Sequence, residues 1–244
     1  MAELDGRPAY YAAAPGGLRD WWTLLHPPYT LWHLSYVVIG ASLARHVDGM
    51  RLLASVLAFF AAVGVAAHAL DELHDRPLHT RISDRALVAA TVGGLLVAVA
   101  LGVAGLLQVG WVLVPFIVAG PILVLGYNLE LLGGRVHTNA GFAVAWGAFP
   151  LLVGYVAQTG RVDVAALVAA IGAFALSYAQ RSLSTPARLL RRRAANVEGA
   201  LTLDDGTIRA IDEHTLLAPL ERALRSMSWS VVAFATALAI ARLT

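Results

Sequence analysis

MRLLASVLAFFAAVGVAAHALDELHDRP, residues 50–77, is an apolar run of membrane-spanning length that turns acidic and histidine-rich before stopping at a proline. About 20 apolar residues rising about 1.5 Å each cross the roughly 30 Å of hydrocarbon in a bilayer. At about 100° per residue, His68, Asp71, Glu72 and Asp75 fall within one arc of about 100° on the helix, and Pro77 ends it. Four side chains able to hold a metal converge there. His68 lies about two turns below Pro77, at a depth where an ionisable group is costly and points to function.

Outward from this stretch, further apolar runs occupy 29–47, 85–108, 110–132, 139–159, 162–187 and 215–243. With 50–74 they predict an all-α integral membrane protein of about seven transmembrane helices, with the true start of the last near Met227, because Glu221, Arg222 and Arg225 precede it. The composition agrees: 58% of residues are hydrophobic and 14% charged, against roughly a quarter charged in soluble domains, and the mean hydropathy is +0.67. There is no cysteine, so disulfides and thiolate metal sites are excluded. A net charge of +2 gives no basis for a nucleic-acid partner, and no motif indicates a protein partner.

Every basic residue is arginine, and the arginines set the orientation. With the N-terminus inside, the inner segments hold Arg7, Arg19, Arg76, Arg81, Arg85, Arg135, Arg181, Arg188, Arg191, Arg192, Arg193, Arg209, Arg222 and Arg225, and the outer ones Arg45, Arg51, Arg161 and Arg242. Fourteen against four places the N-terminus in the cytoplasm of a cell whose inner membrane the chain crosses repeatedly. Trp21, Trp22 and Trp32 then suit the inner interface. The expected organisation is a cytoplasmic leader at 1–28, without the features of a cleaved signal peptide, and a single transmembrane domain at 29–244 with a cytoplasmic loop at about 188–214. Within that loop LTLDDGTI reads as a hairpin turning at Asp205-Gly206.

The same topology puts His26, His33, His68, His74, His79, His137 and His214 on the inner side and only His46 outside. His33 and Glu130 fall within spans, so they are candidate cavity residues, whereas His26, His79 and His214 read as interfacial or hydrogen-bonded histidines. Tyr127, Asn128 and Glu130 precede the Gly133-Gly134 turn, with His137 beyond it; the glycines suit a tight helical hairpin but do not account for Glu130. The sixth span ends in Tyr178-Ala179-Gln180-Arg181, and a guanidinium there suits an anionic substrate head, while Arg191 to Arg193 read as a positive-inside anchor.

His26-Pro27-Pro28-Tyr29-Thr30-Leu31 leading into a span with Gly40-Ala41, the acidic end of helix two followed by Arg76-Pro77 and Arg81-Ile82-Ser83, Tyr127, and Gly147-Ala148-Phe149-Pro150 make most of residues 20–190 resemble the UbiA superfamily of intramembrane prenyltransferases. The resemblance implies a helical bundle around a central cavity, and a prenyltransferase-like transferase that holds magnesium and a prenyl diphosphate with an N-D-x-x-D-x-x-x-D motif on helix two and a second acidic motif on helix six. Asp71 and Asp75 match the last two aspartates of the first motif; Ala67 and His68 replace its first two residues. In the second, Arg181 and Ser182 stand where carboxylates are expected.

Three readings follow. One is a divergent enzyme that transfers or cyclises a prenyl diphosphate or related isoprenoid lipid. In it Asp71 and Asp75 hold a divalent metal, His68 is a further ligand or acid/base, Arg181 and Arg76 meet the anion, and Tyr127, Tyr178 and Asn128 line the cavity. The second is a lipid-modifying enzyme with a mixed site for iron, manganese or zinc, drawn from His33, His68, Asp71, Glu72, Asp75, Glu130 and His137. The third is a non-catalytic isoprenoid- or quinone-binding protein.

Overall fold

The structure is a computed structural model that describes residues 8–131 and 133–244. Residues 1–7 of the expected leader, Arg7 among them, and Leu132 at the end of the fourth expected span lie outside the described residues.

A short helix α1 (Leu18–Leu24) leads into α2 (Pro27–Ser42), α3 (Gly49–Asp75), α4 (Asp84–Val109), α5 (Trp111–Asn128), α6 (Asn139–Thr159) and α7 (Val164–Arg193). An antiparallel hairpin of β1 (Gly199–Thr202) and β2 (Ile208–Ile211) follows, then α8 (Glu213–Leu243). Six of these helices, α3 to α8, are long and apolar enough to cross a membrane. The first expected span, α2, has 16 residues, ends at Ser42 and lies at the centre of the bundle against α6 and α8. Its end is held from the neighbouring helix, where Arg242 Nε donates to the Ser42 carbonyl at 2.9 Å.

Short polar residues start the long helices. Asp48, Ser83, Thr138, Asp163 and Asp212 each accept hydrogen bonds from amides of the first turn that follows, satisfying donors that a helix N-terminus leaves free. α7 runs through Pro186 as far as Arg193, so the polar excursion begins six residues later than the expected 188. The hairpin forms around Gly206, whose φ of +82° suits glycine in the turn.

Two glycines set the central packing. A Cβ built on Gly40 of α2 would lie 2.0 Å from the Leu151 carbonyl oxygen of α6, and one on Gly154 of α6 would lie 2.2 Å from that of Val37. The backbones therefore touch, which is how helices associate in lipid, where burying apolar surface gives little driving force. Trp32 and Tyr36 are fully buried against α6, α7 and α8 rather than at an interface. Trp32 Nε1 donates to the Tyr36 hydroxyl at 2.6 Å, so the indole needs no interfacial water. Large apolar side chains such as Leu96, Ile171 and Phe234 instead cover the outside, as lipid requires.

Candidate functional site

α3 and α6 each contain a widened π-helical turn, at Phe60–Ala67 and Val144–Ala148. Such turns interrupt the regular hydrogen-bond ladder and occur frequently at functional sites. Here a carbonyl within each accepts from a histidine: Gly64 from His68 Nδ1 at 3.1 Å, and Trp146 from His33 Nδ1 at 2.8 Å. The histidine orientations thus follow from backbone irregularities that residue periodicity does not reveal.

Beyond these turns a cavity of about 280 Å³ opens at the end of the bundle where α3, α5 and α7 finish. His68, Asp71 and Asp75 line it from α3, His33 from α2, Tyr127 and Asn128 from the end of α5, His137 and Trp146 from around α6, and Arg181 from α7, while Glu130 lines it from the turn after α5, exposed and outside the span expected to hold it. The structure therefore brings nine of the twelve candidate residues to one cavity. The other three lie elsewhere. Glu72 is fully buried beneath the loop after α3, where it accepts from Leu78 N, Thr80 N and Thr80 Oγ1 at 2.8–3.0 Å. Arg76 pairs with Asp84 and donates to the Ile82 carbonyl. Tyr178 stacks on Phe174 on the half-exposed outer face of α7.

Arginines of α7 also line the cavity. Arg181 Nη2 lies 3.0 Å from His137 Nε2 and its guanidinium sits 5.6 Å from the Phe142 ring centre. His137 stacks on Tyr127 at 4.4 Å and turns Nδ1 to the Tyr127 carbonyl at 3.1 Å. Arg188, Arg191 and Arg192 line the cavity as well. Arg191 forms a buried two-point ion pair with Glu221 of α8.

Residues 8–11 fold over the cavity, and these were absent from the sequence candidates. Arg192 Nε donates to the Pro8 carbonyl at 3.1 Å, and Arg225 packs 4.9 Å from the centre of the Tyr10 ring. The Tyr11 hydroxyl bonds Nδ1 of His26. Burial pushes Tyr10 up to about 12. Burial pushes His26, just before α2, well below its ordinary 6.5, assisted by His68, Arg192 and Arg188. Beyond a tyrosine pair in the leader and a histidine before Pro27-Pro28, the sequence carried no signal for this closure.

The depressed His26 value fixes the sign of one pH effect. The closure is fully stabilised above pH 6.5, the ordinary value, and loses stability as pH falls below it, because the open state takes up the proton more readily. The protection of the amides of residues 9–12, measured against the intrinsic exchange rate at each pH, is expected to fall between pH 7.5 and 5, and this fall should vanish in His26→Phe. Unchanged protection in the wild-type chain would refute the assignment.

A second, apolar cavity of about 220 Å³ runs between α3, α4, α5 and α6, past Phe59, Leu95, Ile117 and Phe149. Val63 and Trp146 line both cavities. A polar chamber thus adjoins an apolar one across a single pair of side chains.

Compared with solved structures, the chain is similar to a UbiA homolog from Archaeoglobus fulgidus bound to Cd2+, over 92% of this chain and 85% of that one, with a TM-score of 0.54 and 17% identity. The chain has a UbiA-like fold. No protein-family model and no curated protein matches it. In this UbiA-like bundle, no three histidine or carboxylate side chains among the described residues are grouped to hold a metal. Asp71 and Asp75, one turn apart on α3 and both facing the cavity, do fit one magnesium ion, which is usually bound through one or two carboxylates together with substrate phosphates.

Proposed function

We propose that this protein is a prenyltransferase-like enzyme of the cell's inner membrane, built on the single domain 29–244, that binds a prenyl diphosphate and transfers or cyclises its chain. One observation carries the reading. Seven buried side-chain polar atoms lack a hydrogen-bond partner among the described residues, and five of them, Tyr10 Oη, His26 Nε2, Tyr127 Oη, Gln180 Oε1 and Arg181 Nε, belong to residues lining the polar cavity. Orphaned buried polar groups are costly, so their convergence on one chamber marks a place completed by a ligand. Four of the five can donate, which suits an acceptor-rich anion, and the adjoining apolar cavity suits its chain.

Arg181 and Arg188 would take the diphosphate oxygens, with the bidentate geometry that guanidinium offers to phosphate. The Tyr127 ring, close to the head site and buried, would stabilise positive charge developing on the allylic carbon. The apolar walls exclude water from that carbon. Asp71 and Asp75 would hold magnesium, which supplies charge neutralisation for the departing diphosphate; the Cd2+ in the similar UbiA homolog supports divalent-metal use. The arginine asymmetry supports a cytoplasmic position for the site. The mixed imidazole and carboxylate site receives less support, because no three such donors are grouped among the described residues.

The test measures binding of farnesyl thiodiphosphate and release of diphosphate from farnesyl diphosphate, with and without magnesium. Arg181→Gln is expected to weaken analogue binding by about 10- to 100-fold, the worth of a charge-assisted hydrogen bond. Asp71→Asn is expected to remove magnesium-dependent release. Saturable binding with no release in the wild-type protein would favour the non-catalytic binder, and absence of both would refute the diphosphate reading.

A further inference from the structure

Two of the seven orphaned polar atoms belong to residues outside the polar cavity, and one of these, Arg51 Nε, belongs to the lining of the apolar one. Arg51 stands in the first turn of α3, twenty residues before Asp71. At about 1.5 Å per residue that is about 30 Å, so it marks the end of the bundle opposite the acidic residues. Arg51, Ala54, Ala58 and Ala62 line the chamber at spacings of three and four, one face of α3. Ala98, Gly102 and Gly105 line it from α4. These small residues leave the space that the cavity occupies. The same helix therefore carries carboxylates at one end of two adjoining chambers and a guanidinium at the other.

An arginine at the end of a span ordinarily extends its charged head into water. Here Nη2 does reach the surface, where it donates to the Gln108 carbonyl of α4 at 3.4 Å, but Nε is buried and has no partner among the described residues. Asp48, the cap of α3, accepts from the amides of Met50 and Arg51 at 2.9 and 3.0 Å rather than forming an ion pair with the guanidinium. Ser55 gives its hydroxyl hydrogen to the Arg51 carbonyl at 2.8 Å. Met50 and Gln108, which line the same end, are exposed, so the guanidinium stands at a mouth.

A buried N–H without an acceptor is costly, and behind this one lies an apolar chamber. Arg51 is the only charged residue lining it among the described residues. One cation suits one negative charge. A carboxylate matches a single guanidinium, accepting from two of its N–H groups at once, whereas a doubly charged phosphate would keep a charge without a partner. We propose that this end of the apolar cavity binds a single-chain carboxylate, a fatty-acid-like amphiphile, with its head on Arg51 and its chain along the facing surfaces of α3 and α4. The site is entered from the end opposite the polar chamber and does not depend on the prenyl-diphosphate reading.

Photolabelling locates the head group. Full-length protein in phosphatidylcholine nanodiscs at pH 8 is irradiated with dodecanoate carrying a diazirine beside its carboxyl group, or with the methyl ester of the same compound, and the adducts are placed by peptide mass spectrometry. The acid is expected to label α3 around Ala54 and Ala58 and α4 around Gly105 in a saturable manner, with the uncharged ester labelling them about tenfold less. Arg51→Gln should weaken the acid by about tenfold, the worth of a charge-assisted hydrogen bond. Ala58→Phe, which fills the chamber and keeps the guanidinium, should abolish the labelling. Equal labelling by acid and ester in the wild-type protein would overturn the site even if neither variant folded, and so would adducts confined to the polar chamber around Tyr127 and Gln180. Displacement of the acid by dodecyl phosphate at lower concentrations than by dodecanoate would overturn the carboxylate assignment.

Discussion

Gly40→Ala is expected to cost about 3 kcal/mol or more of stability, at or beyond the upper end of ordinary overpacking effects, and to leave little folded protein. The added methyl would stand 2.0 Å from the Leu151 carbonyl oxygen. No rotamer change relieves this, because the obstacle is backbone and the intruding atom is the Cβ itself. α2 and α6 would have to separate, and the reciprocal approach of Gly154 to Val37 would be lost with them. α2 also carries His33, and α6 carries its carbonyl partner at Trp146, so site and stability should fail together. Size-exclusion profile and thermal unfolding in detergent check this against Gly172→Ala, where a Cβ meets nothing within 4 Å. Equal stability of the two variants would refute the packing argument.

The next largest effect is expected at Glu221. Its carboxylate and the Arg191 guanidinium meet with side chains only 13% and 8% exposed, joining α8 to α7 beside the cavity. Glu221→Ala takes the two-point partner away from the buried Arg191 guanidinium, and breaking a buried pair costs up to about 3–5 kcal/mol. The double variant Arg191→Leu with Glu221→Leu should recover much of that loss, since an apolar pair of similar size removes both desolvation costs. Thermal unfolding of the two singles and the double measures the coupling. Singles as stable as wild type would show that the pair contributes no net stability.

Both residues illustrate how far the sequence could be read. Hydropathy located the helices because lipid demands long apolar runs, and the UbiA-like bundle followed from motifs at their ends. The same logic expected Glu221 outside the hydrocarbon, since a lone charge is expensive there; its partner lies 30 residues away and is visible only once α7 and α8 are packed. Helical phase put Glu72 on the same arc as Asp71 and Asp75. Loop folding overrode that reading: the buried amides of Leu78 and Thr80 needed an acceptor, and Glu72 supplies it. His68 and Arg181 were legible because an ionisable residue near a span's end is conspicuous in apolar sequence. His26 was not. Its position depends on a left-handed backbone and on Tyr11, which reaches it from a segment with little periodicity of its own.

Trp146 has a double allegiance: its residue walls both chambers, and its carbonyl holds His33. Any tail that displaces this turn of α6 also retunes an imidazole in the head site. Linkage makes the relation mutual, so whatever factor a bound chain adds to the affinity for a head group, the head group returns to the chain. The two ends of a ligand are therefore weighed together, and the affinity of the whole is not the simple sum of what its fragments show apart.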